Sequence, residues 1–284
     1  MTIDLHTHST ASDGLDAPQE LVRRAGTAGL AVVALTDHDT TAGIDAAAAA
    51  LPRGLVLVPG AEISCYVQVD ERRIALHVLA YLFDPAEPTF AAERAEVRRH
   101  RVTRARRMVE LLHADGHPVR WERVSELAGG TVGRPHVAAA MVEAGLVPSM
   151  DAAFSRSWIG PGGPYHVGKQ QPDVWRTLEL IRAAGGVSVF AHPYASRRGV
   201  TVGPEVIERM AAAGLGGLEV DHPDHDDDER RRLRALAADL DLFTTGSSDY
   251  HGASKPQGLG AETTSRAAYE RLVTTATGAT PITG

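Results

Sequence analysis

The 284-residue chain has one cysteine, Cys65, two lysines, Lys169 and Lys255, and no apolar run approaching the 18 residues of a membrane span. A single thiol excludes an intramolecular disulfide framework and suits a reducing compartment. The opening Met1-Thr2-Ile3-Asp4 carries neither the basic nor the apolar stretch of a secretory signal, so a soluble cytoplasmic protein without membrane association is expected. A formal net charge of −7 argues against generic binding of duplex DNA through a basic surface. What is present is 43% hydrophobic residues, enough for the core of one large α/β domain or of a barrel carrying an insertion.

The first 85 residues alternate strand and helix patterns. Ile3 to Leu5 is a short strand, and Asp16 is placed to N-cap a helix with Pro18 in its first turn. The apolar run 30–35 reads as a buried parallel strand, followed by a helix through the alanines at 46–50. A strand over 55–58, a turn at Pro59-Gly60-Ala61-Glu62 and a hairpin of 63–69 with 74–81 complete this part. Residues 86–158 then read as helix after helix. This predicts a helical insertion over 86–164, ended by Gly160-Pro161-Gly162-Gly163-Pro164, within an α/β unit of residues 1–85 and 165–284. The rhythm resumes with strands at 187–190, 217–220 and 242–245 and helices over 178–184, 204–213, 226–240 and 265–274. Such alternation favours a parallel sheet or barrel.

Histidines and carboxylates cluster after the apolar runs. His6 and His8, two apart on a strand end, point to the same face and can chelate one metal, although alone they read equally well as surface histidines. Asp13 by itself is a turn residue; beside a metal-binding strand end it becomes a third ligand candidate. In Asp37-His38-Asp39, His38 is the ligand candidate, Asp37 can orient a ligand histidine, and Asp39 or Thr40 can N-cap the next helix. Glu62 follows the third strand, where a carboxylate can bridge two metals. His77 alone would be a hydrogen-bonded core histidine. His192 ends one strand before Pro193, and Asp249 and His251, again two apart, end another. Strand ends of an α/β protein meet on one rim, so six ligand-type clusters there point to a polynuclear metal site.

Together, Asp4-Leu5-His6-Thr7-His8-Ser9, Ser12-Asp13-Gly14, Thr36-Asp37-His38-Asp39, Gly60-Ala61-Glu62-Ile63, Ala191-His192-Pro193 and Gly246-Ser247-Ser248-Asp249-Tyr250-His251 resemble the polymerase and histidinol phosphatase (PHP) family over nearly the whole chain. The resemblance implies a distorted (β/α)7 barrel with a helical insertion and two or three divalent transition metal ions, Mn, Fe or Zn. One ion would be held by His6, His8, Glu62 and Asp249, a second by Glu62, His77 and His192, and a third by Asp13, His38 and His251. His192, Asp249 and His251 are the candidate catalytic residues. Two such metals, about 3.5–4 Å apart, would supply an acidified water as the nucleophile toward phosphorus, so no Ser or Cys nucleophile would be needed.

Within the family, the chain resembles the standalone branch of nucleotide phosphatases and small exoribonucleases. Gly133-Arg134-Pro135-His136 looks like the segment of that branch that faces substrate. Arg134 would clamp phosphate through its planar fork, with His136 assisting, although the same turn fits a helix start with Pro at N1. Arg197, beside Arg198, and His222 are further substrate-binding candidates. The arginines at 94, 98, 99, 101, 104, 106 and 107 read as a solvated helix face, or alternatively as a guide for an oligonucleotide.

The expected activity is metal-dependent hydrolysis of phosphomonoesters of small nucleotides, 3′,5′-bisphosphonucleotides foremost. The partner is therefore a nucleotide or short oligonucleotide, with no obligate protein partner implied. The alternatives are 5′-3′ exonuclease action on short RNA and amide hydrolysis by an amidohydrolase-like barrel. Against the last, neither lysine fits a bridging carboxylated ligand. A decayed barrel acting as a binding module conflicts with nine intact ligand positions.

Overall fold

The computed structural model describes residues 1–196, 199–253 and 256–284. Seven strands lie side by side in chain order: β1 (Ile3–Asp4), β2 (Val32–Leu35), β3 (Val56–Val69), β4 (Arg72–Tyr81), β5 (Val187–Phe190), β6 (Gly217–Asp221) and β7 (Phe243–Gly246). Neighbours are parallel except at β4, which runs antiparallel to both β3 and β5. A final strand, β8 (Ile282–Thr283), pairs antiparallel with the start of β3. The free edges of β1 and β7 meet through single contacts. Thr7 bridges Tyr250, Ser248 donates its N–H and hydroxyl to Asp4, and Thr264 donates its N–H to the Ile3 carbonyl. The sheet is thus a nearly closed seven-stranded barrel, distorted by the reversed β4.

The helices are α1 (Pro18–Thr27), α2 (Ile44–Ala49), α3 (Pro88–Ala114), α4 (Trp121–Ala128), α5 (Arg134–Glu143), α6 (Met150–Ala153), α7 (Val174–Ala183), α8 (Pro204–Ala212), α9 (Asp227–Asp239) and α10 (Arg266–Thr275). Among the described residues no helix is long and apolar enough to cross a membrane. The strand sequences show why the barrel forms. Val32 and Ala34 pack with Ile3, Val58 and Val189 inside it, while Val33 and Leu35 pack outward with Leu21, Val22 and Leu57. A strand buried on both faces needs an unbroken apolar run. The segment α3–α6 has a separate hydrophobic cluster that includes Met108, Leu112, Val124, Val137, Met141 and Ile159.

Four local expectations are corrected. Residues 59–62 are no turn, because β3 runs unbroken through them. Its partner changes from β2, last paired at Pro59, to β4, first paired at Gly60. A Cβ at Gly60 would lie 2.8 Å from the Ala80 carbonyl oxygen, so the glycine marks a close approach of strands. Asp16 does not cap α1, whose N-cap is Ala17; its carboxylate accepts the Tyr250 hydroxyl at 2.6 Å. Neither Asp39 nor Thr40 caps α2, which begins after Gly43 without a side-chain cap. Finally, of its arginines at 94, 98, 99, 101, 104, 106 and 107, α3 leaves only Arg99, Arg106 and Arg107 exposed. Arg94 lies buried against Phe83 and Phe90, and Arg98 and Arg104 donate to the carbonyls of Asp39 and Val167. Arg99 and Arg107 pair locally with Glu96 and Glu110.

Candidate metal centre

The strand ends deliver a cage around one buried carboxylate. His6 and His8 place their Nε2 atoms 3.0 Å apart, each 3.2 Å from Glu62 Oε2 and 3.4 Å from Asp249 Oδ1. His38 Nδ1 lies 3.1 Å from Glu62 Oε2. On the other oxygen, His77 Nδ1 lies 2.7 Å and His192 Nε2 3.0 Å from Oε1. Asp13 faces His8, His38 and His251 at 3.8, 3.6 and 3.6 Å. All nine ligand candidates are therefore brought together. Glu62 reaches this place from within β3, and His77 reaches it from mid-β4 because that strand runs backwards.

Hydrogen bonding does not account for this arrangement. Two glutamate oxygens face five histidines. Among the described residues, His38 Nδ1, His77 Nδ1 and Asp13 Oδ1 are buried without a hydrogen-bond partner. Buried polar groups are rarely left so, and the exceptions call for an ion or a function. Among the described residues, donor atoms within 4.8 Å of one another form three groups: His8, Asp13, His38 and His251; His6, His8 and Asp249; and His38, Glu62 and His77. They fit metal ions, and an N/O set without thiolate suits divalent transition metals. His8 and His38 each belong to two groups, whereas in the sets the family resemblance implies it is Glu62 that is shared.

The cage alters protonation. Burial alone would push the Glu62 carboxyl up, but the surrounding histidines, His77 and His38 foremost, hold it well below the usual range. Burial keeps His38 and His77 below ordinary histidine values. For His8 burial is outweighed by Asp249 and Glu62, which raise it to about 9; for His6 it is outweighed by Glu219, Asp249 and Glu62.

Rigid supports surround the cage. Asp39, His192 and Asp249, shortly after β2, β5 and β7, have left-handed backbones with φ of 57°, 32° and 49°. Such strain in non-glycine residues concentrates at functional sites. Among the described residues no hydrogen bond joins Asp37 directly to a histidine; Asp37 reaches His8 through Ser12, whose hydroxyl lies 3.4 Å from His8 Nδ1. It accepts the Ser9 N–H and the Ser9 and Ser12 hydroxyls, pinning the loop that follows His8. That loop also needs Gly14, where a Cβ would strike the His8 carbonyl.

The candidate substrate residues are distributed unevenly. His222 is buried at the cage, its Nε2 3.4 Å from Asp249 Oδ2 and its Nδ1 accepting the Asp224 N–H. His136 sits at the start of α5 and accepts the Gly133 N–H through Nδ1. Arg134 lies over the Phe154 ring at 5.3 Å. Arg197 and Arg198 lie outside the described residues.

Three residues close to the cage were missed. Arg101, buried on α3, donates to Asp39 Oδ2 at 2.6 Å and to the Ser64 hydroxyl at 2.7 Å; its charge, then Lys169, His38 and the Ser64 N–H, hold the Asp39 carboxyl at about 2 despite burial. Lys169, rejected as a bridging ligand, is half-buried nearby. Burial, then Arg101, Arg104 and Arg134 hold its ammonium well below the ordinary lysine value, against the opposing pull of Asp39. Glu219 on β6 contacts His6 and His192. The signal for Glu219 was present, a lone charge within the apolar Gly217-Leu218-Glu219-Val220 run. For Lys169 there was none.

Residues 4–118 match the PHP domain. Across 256 residues the chain is 36% identical to the 3′,5′-nucleoside bisphosphate phosphatase of Chromobacterium violaceum, covering 88% of this chain and 87% of the relative. The chain belongs to the PHP family. This PHP protein is also 35% identical over 249 residues to a 5′-3′ exoribonuclease of Haemophilus influenzae, covering 87% and 89% of the two chains. A crystal structure described as a metal-dependent phosphoesterase from Bifidobacterium adolescentis is 36% identical and superposes with a TM-score of 0.88 over 97% of this chain and 96% of that one.

Proposed function

We propose that this PHP protein is a metal-dependent phosphoesterase that removes phosphate from small nucleotides, 3′,5′-bisphosphonucleotides foremost, with two or three ions of Mn, Fe or Zn. One observation carries the substrate class: next to the cage, Arg134 and Lys169 are cations for which no carboxylate partner is found among the described residues, and each is held below its ordinary pKa by burial and by Arg101. Arg104, beside them, is pushed down to about 9 by burial, Arg134 and Arg101. Crowded, desolvated cations call for an anion, and a second phosphate on the substrate supplies it. The name of the Chromobacterium relative agrees with that chemistry.

His6, His8, Glu62 and Asp249 would hold one ion, Glu62, His77 and His192 a second, and Asp13, His38 and His251 a third. Bound there, the ions supply charge neutralisation at the phosphoryl oxygens and an acidified water. The chain's own residues do the rest. His251 donates Nδ1–H to the Asp249 carbonyl at 2.8 Å, which turns Nε2 toward Asp13. His222, with Nδ1 occupied by the Asp224 N–H, keeps Nε2–H as a donor at the edge of the cage. Arg134 and Lys169 orient the remote phosphate, His136 fixes the turn that carries Arg134, and Arg197 is retained as a candidate contact. Cys65 is no nucleophile, since it is buried and burial pushes its thiol up. Glu62 holds the central position that a carboxylated lysine would need for the amidohydrolase reading.

The test is phosphate release from adenosine 3′,5′-bisphosphate, AMP and a short RNA in Mn²⁺. Fast release from the bisphosphate with AMP accumulating is expected. Preferential shortening of the RNA would transfer the reading to the exoribonuclease. No turnover of any of the three by metal-loaded protein would overturn it.

A further inference from the structure

Among β1–β7, β6 alone supplies no member of the nine-residue cage, yet it carries a fully buried carboxylate at its centre, Glu219. The atoms of Glu219 are completely engaged. Oε1 lies 2.9 Å from His6 Nδ1 and also accepts the Ser247 hydroxyl; Oε2 accepts the His192 backbone N–H at 2.7 Å. We propose that Glu219 is the positioning residue of the metal centre, fixing the tautomer of His6 and the backbone turn of His192 at once. The inference rests on the metal reading above.

Three observations carry it. First, a carboxylate facing Nδ1 keeps a proton there, so the lone pair of Nε2 faces Glu62 and Asp249, each within 3.4 Å. Metal-bound histidines are commonly held this way through their other ring nitrogen. Second, His192 has φ of 32°, a conformation a non-glycine residue keeps only when its surroundings impose it. The N–H donated to Glu219 is such a restraint, and it turns the ring so that Nε2 meets Glu62 at 3.0 Å. Third, Glu219 is not itself placed as a ligand of the same ion. It lies against the opposite nitrogen of the His6 ring from Glu62 and Asp249. One side chain therefore links β1 to β5 across β6, and Ser247 ties it to the end of β7.

Glu219→Gln tests this without changing shape. An amide has one acceptor and one donor end, so it can accept from His6 or from the His192 N–H but not from both. Metal affinity of the refolded, chelator-stripped protein is measured by competition with a chromogenic chelator, and bound metal by elemental analysis. The expected result is Zn²⁺ or Mn²⁺ binding weakened on the order of 10–100-fold at the His6 site, with an unchanged circular dichroism spectrum. Ser247→Ala keeps the carboxylate and is expected to retain wild-type affinity. Wild-type stoichiometry and affinity in Glu219→Gln would overturn the proposal. Should that variant not fold, nitrogen-15 histidine spectra of the Zn²⁺-loaded wild type still decide: His6 protonated at Nδ1 supports the proposal, and His6 bound through Nδ1 overturns it. A wild-type chain that binds no metal would remove the metal reading itself.

Discussion

Asp39 and Asp13 are both carboxylates near the rim, and they are treated in opposite ways. Asp39 accepts the Ser64 N–H at 2.7 Å, the Ser64 hydroxyl at 2.9 Å and Arg101 at 2.6 Å. Asp13 faces three histidines, yet its Oδ1 has no hydrogen-bond partner among the described residues. The same contrast separates two whole regions. Where α3 docks on the barrel, Arg94, Arg98 and Arg101 each find an oxygen. Inside the cage, among the described residues, Asp13 Oδ1, His38 Nδ1 and His77 Nδ1 lack a hydrogen-bond partner, and beside it Arg134 and Lys169 lack a carboxylate one. Satisfied buried polar groups build the fold, whereas unsatisfied ones wait for ligands.

The largest effect that would break this contrast is expected from Glu62→Gln. The substitution keeps the shape but removes the only charge shared by five histidines. Turnover should fall on the order of 10³-fold or more, since several kcal/mol of metal-derived stabilisation is lost. Bound metal should fall with it, while the circular dichroism spectrum of the protein stays that of the wild type. Retained metal and activity would mean that the cage is structural.

Arg101→Met probes the satisfied side. Removing one partner of a buried pair leaves Asp39 uncompensated, at a cost of about 3–5 kcal/mol. Denaturant unfolding should register that loss; a change within experimental error would show that the α3 contact contributes little.

Next in size is Lys169→Met, which removes one of the cations that have no carboxylate partner among the described residues. Lost charge-assisted hydrogen bonds are worth about 1.5–3 kcal/mol. The KM for a bisphosphate should therefore rise on the order of 10-fold or more, with a much smaller change for a substrate bearing one phosphate. Equal effects on both substrates would place Lys169 outside the second-phosphate site.

The smallest effect concerns pH. In metal-free protein His8 is raised from 6.5 to about 9 by Asp249 and Glu62 acting against burial. Its contribution to stability is then fully present below about pH 6.5 and lost as pH rises through about 9. Melting temperatures in EDTA should decline across that window. With metal, protons on His8 must be displaced, so affinity should rise with pH and binding should release protons. A flat profile in EDTA would contradict the charge assigned to His8.

Much of this was legible in the chain. The apolar run at 30–35 announced a strand buried on both faces, residues 187–190 read as a further strand, and the switch to helical patterning after residue 86 announced α3–α6. Local signals failed where a neighbour decided the outcome. Pro59-Gly60 has the chemistry of a turn but marks a change of strand partner, because β4 is there to take over. The α3 arginines have the composition of a solvated face, but Phe83, Phe90 and Asp39 lie under them.

By itself the sequence determined most element types and the identity of the metal-type side chains, because periodicity and residue chemistry are local properties; the alternation left a parallel sheet or a barrel open, and the barrel followed from the family resemblance. The tertiary structure decided which donors share a centre, that β4 runs backwards and so brings His77 to the rim, and that Glu219, Arg101 and Lys169 stand beside the cage. Those outcomes depend on atoms far apart in the chain that only the closed barrel brings within a few ångströms, where burial and mutual charge set what each group can do.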